Sequence, residues 1–131
     1  MPESRLMDIT TGRLAAVRLG PNEDLTLGLE QAAAALGFRR ALVRSGLGSL
    51  TDATLQTGTA TPHRLRGPAI EILSMAGEIS AAPGEAVGIS GVVGDTSGAI
   101  WAGHFLAGEN PVCVTVEAVL EEILAAPDVA P

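Results

Sequence analysis

The chain has 131 residues, 47% of them hydrophobic and 18% charged, with a net charge of −7, which is the composition of one ordinary globular domain rather than a disordered segment. That charge repels a phosphate backbone, and no run approaches the roughly 18 apolar residues of a membrane span. Cys113 is the single cysteine, which excludes an internal disulfide framework and a multi-cysteine zinc site. Aromatics are 2% (Trp101, Phe38, Phe105), so the core must be built from Leu, Ile, Val and Ala. The N-terminus lacks a basic region followed by an apolar stretch, so a cytoplasmic location is expected.

Residues 5–124 read as one domain, with 1–4 and 125–131 as flexible tails. Arg13 to Leu19 has strand character and stops at Gly20-Pro21. A helix follows: Asn22 is the expected cap, Glu23 and Asp24 suit the positive end of the dipole, and Leu25, Leu29, Ala33 and Leu36 recur at helical spacing before Gly37. Glu30 and Gln31 fall off that stripe, which predicts a helix lying on a sheet.

Beyond Gly37 the pattern is of strands. Phe38 to Ser45 and Leu50 to Gln56 flank Gly46-Leu47-Gly48, a sharp turn or a bulge. Thr57 to Pro68 reads as a loop or ragged hairpin, and Ala69 to Ser80 as a long strand with a bend at Gly77. Val87 to Val93, Ala99 to Leu106 and Val112 to Val119 complete the set, the last running into a short helix from Glu117 to Leu124. The separators, Ala82-Pro83-Gly84, Gly94 to Gly98 and Gly108 to Pro111, are turn signals. The expected class is α/β in the α+β sense: a mainly antiparallel, strongly bent sheet of about seven strands with one principal helix packed on it. One helix covers only part of such a sheet. Val112, Val114 and Val116 on one face with Cys113 on the other predict burial on both sides, so a second copy of the chain is expected to supply the missing cover.

His104 is the natural candidate for a metal ligand, a base or a ligand clamp, against the alternative of a half-buried ring bonded to neighbouring backbone. His63 reads as a solvated loop residue. Glu71 faces away from Ile70 and Ile72 by strand alternation, as an exposed residue, a buried acid, or a partner of Arg44 or Arg39. Glu117 poses the same question. Ser45-Gly46-Leu47-Gly48-Ser49 lacks the helix of a phosphate-binding turn, Gly88-Ile89-Ser90-Gly91 is no nucleophile elbow, and Cys113 is expected to be an inert buried thiol.

Three segments taken together resemble a known family: Arg44-Ser45-Gly46-Leu47-Gly48-Ser49-Leu50-Thr51-Asp52-Ala53-Thr54-Leu55, then Ile70-Glu71-Ile72-Leu73-Ser74-Met75-Ala76-Gly77-Glu78-Ile79-Ser80, then Ala102-Gly103-His104-Phe105-Leu106-Ala107-Gly108. They are similar to the PPC domain (plants and prokaryotes conserved, domain of unknown function 296). The likeness runs over nearly all of Arg13 to Leu124. It implies a mainly antiparallel sheet, one principal helix and a homotrimer, the number three coming from the family alone. In plant members the domain accompanies an Arg-Gly-Arg-Pro element that enters A·T-rich minor grooves, and this sequence contains none. The plant segment Gly-Arg-Phe-Glu-Ile-Leu, which contacts protein partners, corresponds here to Pro68-Ala69-Ile70-Glu71-Ile72-Leu73 and has lost the Gly, Arg and Phe. Some prokaryotic members hold a metal with a His-x-His on one strand and a further His on the next; those positions are Gly88, Ser90 and His104. One imidazole of three is present, so neither a metal nor a cofactor is expected.

The resulting expectation is a non-enzymatic homotrimer that binds a small molecule or a protein partner at the subunit interface through His104, Ser90, Arg44 and Glu71. His104 would hydrogen-bond the ligand, Arg44 would pair an anionic group, and Glu71 would orient one of them. Two alternatives stand beside it: an enzyme using His104 as acid or base near Glu71, and DNA binding through the domain core.

Overall fold

The computed structural model describes residues 5–82 and 87–125, arranged as six strands and one helix. The order is β1 (Thr10–Leu19), α1 (Leu25–Ala35), β2 (Arg40–Gln56), β3 (His63–Ser80), β4 (Gly88–Gly94), β5 (Ile100–Phe105) and β6 (Val112–Ala125). Every pairing is antiparallel, in the order β1-β6-β2-β3-β4-β5, and β2 also meets β5 through Leu55–Phe105 and Gln56–His104. Because the far end of β2 reaches β5, the sheet curls into a partly closed shell. The core inside it is aliphatic apart from Phe38 and Phe105: Leu50, Ile70, Ile79, Ile89, Val93, Val112, Val116 and Leu120 are among its fully buried members.

The helix has the expected register but a different cap. Leu25, Leu29 and Ala33 are buried, Leu36 is half-buried, and Gly37 at φ 79° ends the helix. Asp24, not Asn22, is the cap: its carboxylate accepts from the Leu27 amide at 3.0 Å, while Asn22 sits in the preceding turn at φ 71°. Asp24 has the extended backbone of a cap residue, and Glu23 instead accepts from the Gly20 amide at 2.6 Å.

Four further expectations are corrected. Six strands form among the described residues because Phe38 to Gln56 is not two strands: β2 starts at Arg40 and runs through the glycines. Gly46 and Gly48 mark close approaches, since an added Cβ would run into the Met75 side chain at the first and the Thr115 carbonyl at the second. The register against β6 slips at Val43/Ser45 and Gly48/Leu50, so the bulge reading holds and the turn reading does not.

His63 to Pro68 is strand rather than loop. Gly67, Pro68 and Ala69 form a bulge between Arg66, paired with Asp52, and Ile70, paired with Leu50, so Pro68 owes the ladder no N–H. A cis Gly67–Pro68 peptide lies within it.

The helix expected over Glu117 to Leu124 is strand as well. β6 lies between β1 and β2, and two ladders satisfy its backbone. Val116, Ala118 and Leu120 turn into the core, while Glu117 and Glu121 turn out to Arg18 and Arg44. The strand therefore includes Ala125, expected in the tail; residues 1–4 and 126–131, the rest of the expected tails, lie outside the described residues, as does most of the Ala82-Pro83-Gly84 turn.

Val114 is exposed instead of buried with Val112 and Val116. The β2–β6 slip sets residues 113–115 against Ser49 alone, which swings Val114 outward, with its amide 3.3 Å from the Ser49 hydroxyl. Cys113 is correspondingly half-buried rather than enclosed.

Candidate functional site

The cross-strand register brings Ser90 and His104 face to face on β4 and β5. Directly paired residues share a sheet face, and the same row continues through Ala76 on β3 and Gln56 at the end of β2. His104 is half-buried. Its imidazole lies over Gly88, where an added Cβ would overlap the ring, and Gly88 itself adopts φ 93°. The three positions Gly88, Ser90 and His104 are thus neighbours in space. A resident metal does not fit them, because a glycine and an exposed serine offer no imidazole, and no group of three His, Cys, Asp or Glu side chains among the described residues could hold an ion.

The other two candidates lie elsewhere. The register on either side, Val43 with Gly77 and Gly48 with Ile72, sets Arg44 across from Ala76. Arg44 therefore belongs to the same row, but it is three strand spacings from His104, roughly 14 Å. Its guanidinium is exposed and pairs with Glu121 at 3.2 Å, not with Glu71. Glu71 is exposed between Ser49 and Gly94, five residues along β3 from Ala76. That offset of roughly 17 Å keeps it away from His104.

The carboxylates near His104 are different ones. A cleft of about 270 Å³ opens between the first turns of α1 and the ends of β3, β4 and β5. Thr26, Leu27 and Glu30 form its helical wall, and Glu78, Gly88 and His104 are on the wall facing it. Leu27, Ile79, Val87, Phe105 and Ala107 make it substantially apolar. Glu78 is held by Arg40. Burial, and then the neighbouring charge of Asp24, push the Glu30 carboxyl above its ordinary value. Sequence reasoning missed Thr26, Glu30 and Glu78. The available signal was the spacing of Thr26 and Glu30, four apart on one helical face beside the apolar stripe.

The helical wall is fixed by Asn110, which is fully buried. Its amide oxygen accepts from the Thr54 N–H at 2.8 Å and its amide nitrogen donates to the Leu106 carbonyl at 2.7 Å. Its backbone N–H donates to Asp24 at 2.9 Å, and its carbonyl accepts from Leu25 at 3.0 Å. One residue thus joins the start of the helix, through its backbone, to β2 and the end of β5, through its side chain.

A second cavity of about 220 Å³ lies at the opposite side of β5, lined by Thr57, Thr61, His63 and Trp101 among others. His63 is exposed there but is not merely solvated: it stacks on Trp101 with ring centroids 4.3 Å apart. Trp101 in turn donates its indole N–H to Asp95 at 2.9 Å. The Ser97 hydroxyl, 2.6 Å from the same carboxylate, and the Trp101 indole hold Asp95 down to about 2.

The profile of the Plants and Prokaryotes Conserved (PCC) domain matches residues 8–124. The chain belongs to the PCC family. This is the family, also written PPC, that the segments around Arg44, Glu71 and His104 resemble, and the antiparallel sheet with one helix agrees with it. The bifunctional protein GlmU of a Synechococcus strain is 32% identical over 115 residues, 86% of this chain, yet the chain spans only 17% of that relative's length. Among solved structures, a hypothetical protein from Salmonella has a TM-score of 0.72 at 27% identity, covering 88% of this chain and 80% of the other. A plant- and prokaryote-conserved protein from Pyrococcus horikoshii has a TM-score of 0.74 at 21% identity, covering 90% and 83%. Structures from Bacteroides thetaiotaomicron and Ralstonia eutropha, at 18% and 21% identity with TM-scores of 0.70 and 0.66, carry a provisional DNA-binding label. They cover 87% and 82% of this PCC chain, and it covers 83% and 76% of them. No helix among the described residues is long and apolar enough to cross a membrane.

Proposed function

We propose that this PCC chain is a non-enzymatic binding module. It assembles as a homotrimer and holds a small molecule or a protein partner in the cleft beside His104, at the boundary between subunits. The observation that carries the reading is the rim of that cleft. Leu27 is 44% exposed and Val87 80% exposed, and both line it. Large apolar side chains around a recess that also carries His104, Thr26 and Glu30 are what a ligand site completed by a second copy requires. Further exposed side chains on the outward sheet face, Leu47, Leu73, Ile100 and Val114, add to the apolar surface that self-association would cover.

The match to a 17% portion of GlmU supports a module that can be joined to other domains, whatever those domains catalyse. The enzyme reading loses its proposed pair, because Glu71 is on another part of β3. DNA binding has less support than ligand binding. The net charge is −7, and Arg13, Arg18, Arg40 and Arg44 are paired with Glu122, Glu117, Glu78 and Glu121.

Native mass spectrometry of the purified chain tests the proposal. The expected spectrum shows a species of about three times 13.3 kDa carrying a retained small mass, which is lost in His104→Ala while the assembly persists. Bare 13.3 kDa monomer as the main species would overturn it.

A further inference from the structure

The chain has one tryptophan and two phenylalanines. Phe38 and Phe105 are buried in the core, but Trp101 is half-buried and lines the cavity beside the loop that joins β2 to β3. Its indole is held in place. The ring N–H donates to Asp95 at 2.9 Å, and the exposed His63 ring stacks on it with planes 20° from parallel. Asp95 is itself anchored by the Ser97 and Ala99 amides at 2.9 and 3.0 Å. The aromatic wall is thus set before anything binds, which lowers the entropy lost on binding. A chain with so few aromatics leaves this pair at an accessible recess, where a ligand gains the contact that the core does not use.

The rest of the cavity defines what it takes. Leu55, Ala60 and Ala102 supply apolar surface, and no Asp, Glu, Lys or Arg lines it, so nothing there offsets the desolvation of an ion. Thr57 is exposed, and its O–H donates to the Ala102 carbonyl at 3.3 Å, which leaves the hydroxyl oxygen to accept. The volume is about 220 Å³. Roughly 150 Å³ holds benzene in an apolar interior, so one substituted ring fits.

We infer that this cavity is a second binding site, taking one neutral, planar heteroaromatic ring with an amide or amino substituent. The ring lies against the His63–Trp101 wall in offset-stacked or edge-to-face contact, and the substituent donates an N–H to the Thr57 oxygen. The site shares no lining residue with the His104 cleft, so it stands whether or not that cleft holds a ligand.

The test uses three molecules of similar size: nicotinamide, sodium nicotinate, which is anionic, and cyclohexanecarboxamide, which is not aromatic. Each is titrated at constant ionic strength into the 15N-labelled full chain, where Trp101 gives the one indole N–H resonance. The expected result is saturable shifts of that resonance and of the Ala102 amide with nicotinamide, and clearly weaker binding of the other two. His63→Ala should lower the nicotinamide affinity about five-fold, the worth of one aromatic contact, and His63→Phe should restore it. Nicotinate or cyclohexanecarboxamide binding there as tightly as nicotinamide, or unchanged affinity in His63→Ala, would overturn the inference. So would the absence of a saturable shift with all three.

Discussion

The imidazole of His104 rests on the bare backbone of Gly88, in the space a side chain at that position would fill. The two residues are on adjacent strands, and Ser90 faces His104 directly. Because Gly88 also sits at φ 93°, any side chain there meets two obstacles, the ring and its own backbone conformation. Gly88→Ala is expected to displace the His104 ring and lower stability by about 1–2 kcal/mol, the cost of a left-handed non-glycine residue. The ring proton shifts of His104 and the urea midpoint check this. An unmoved ring with wild-type stability would contradict it.

Asn110 gives a stronger prediction. Its side chain bridges Thr54 and Leu106 while enclosed. Truncation to Ala leaves a buried N–H and a buried carbonyl without partners, so Asn110→Ala should cost about 2–4 kcal/mol. Hydrogen exchange should show the loss concentrated at Thr54 and around Leu106, whose amide and carbonyl the side chain satisfies, while the backbone bonds to Leu25 and Asp24 persist. A loss spread evenly over the sheet would argue against that bridging role.

Thr26 should behave in the opposite sense. Valine has nearly the same shape and no hydroxyl to leave unsatisfied, so Thr26→Val is expected to raise stability by about 1 kcal/mol. Equilibrium unfolding in urea decides it. A destabilised variant would mean that the hydroxyl has a partner in solution.

Asp95 carries the pH prediction. Its folded value, about 2, is below the ordinary 3.8, so the bonds to Ser97 and Trp101 contribute fully above pH 3.8 and are lost as pH falls towards about 2. The stability difference between the wild type and Asp95→Asn should therefore be open at neutral pH and close over that acid range. Trp101, the single tryptophan, reports the unfolding directly. A difference that stays constant through the window would show that the carboxylate is not held by these partners.

The helix was legible in the sequence because Leu25, Leu29 and Ala33 repeat at its own period and Gly37 stops it. The strand ends were less so. Glu117 to Leu124 has good helix formers, and only the ladders on both sides of β6 make it a strand, a tertiary effect that no local pattern carries. Pro68 disguised the start of β3 because a bulge removes the usual objection to proline. At the site, the register of Ser90 against His104 agrees with the family likeness. Thr26, Glu30 and Glu78 were illegible as a group, since they meet only when α1 folds over the ends of β3 and β5. Arg44 and Glu71 have the chemistry of a ligand site, but the strand offsets separate both from His104.

Sedimentation equilibrium at micromolar concentration tests most directly whether copies of the chain complete the cleft. Leu27 is on its rim, in the first turn of α1, where an aspartate is compatible with the helix dipole. The account predicts about three times 13.3 kDa for the wild type and a shift towards monomer for Leu27→Asp, with the helix retained by circular dichroism. A wild-type mass of 13.3 kDa at that concentration would contradict it.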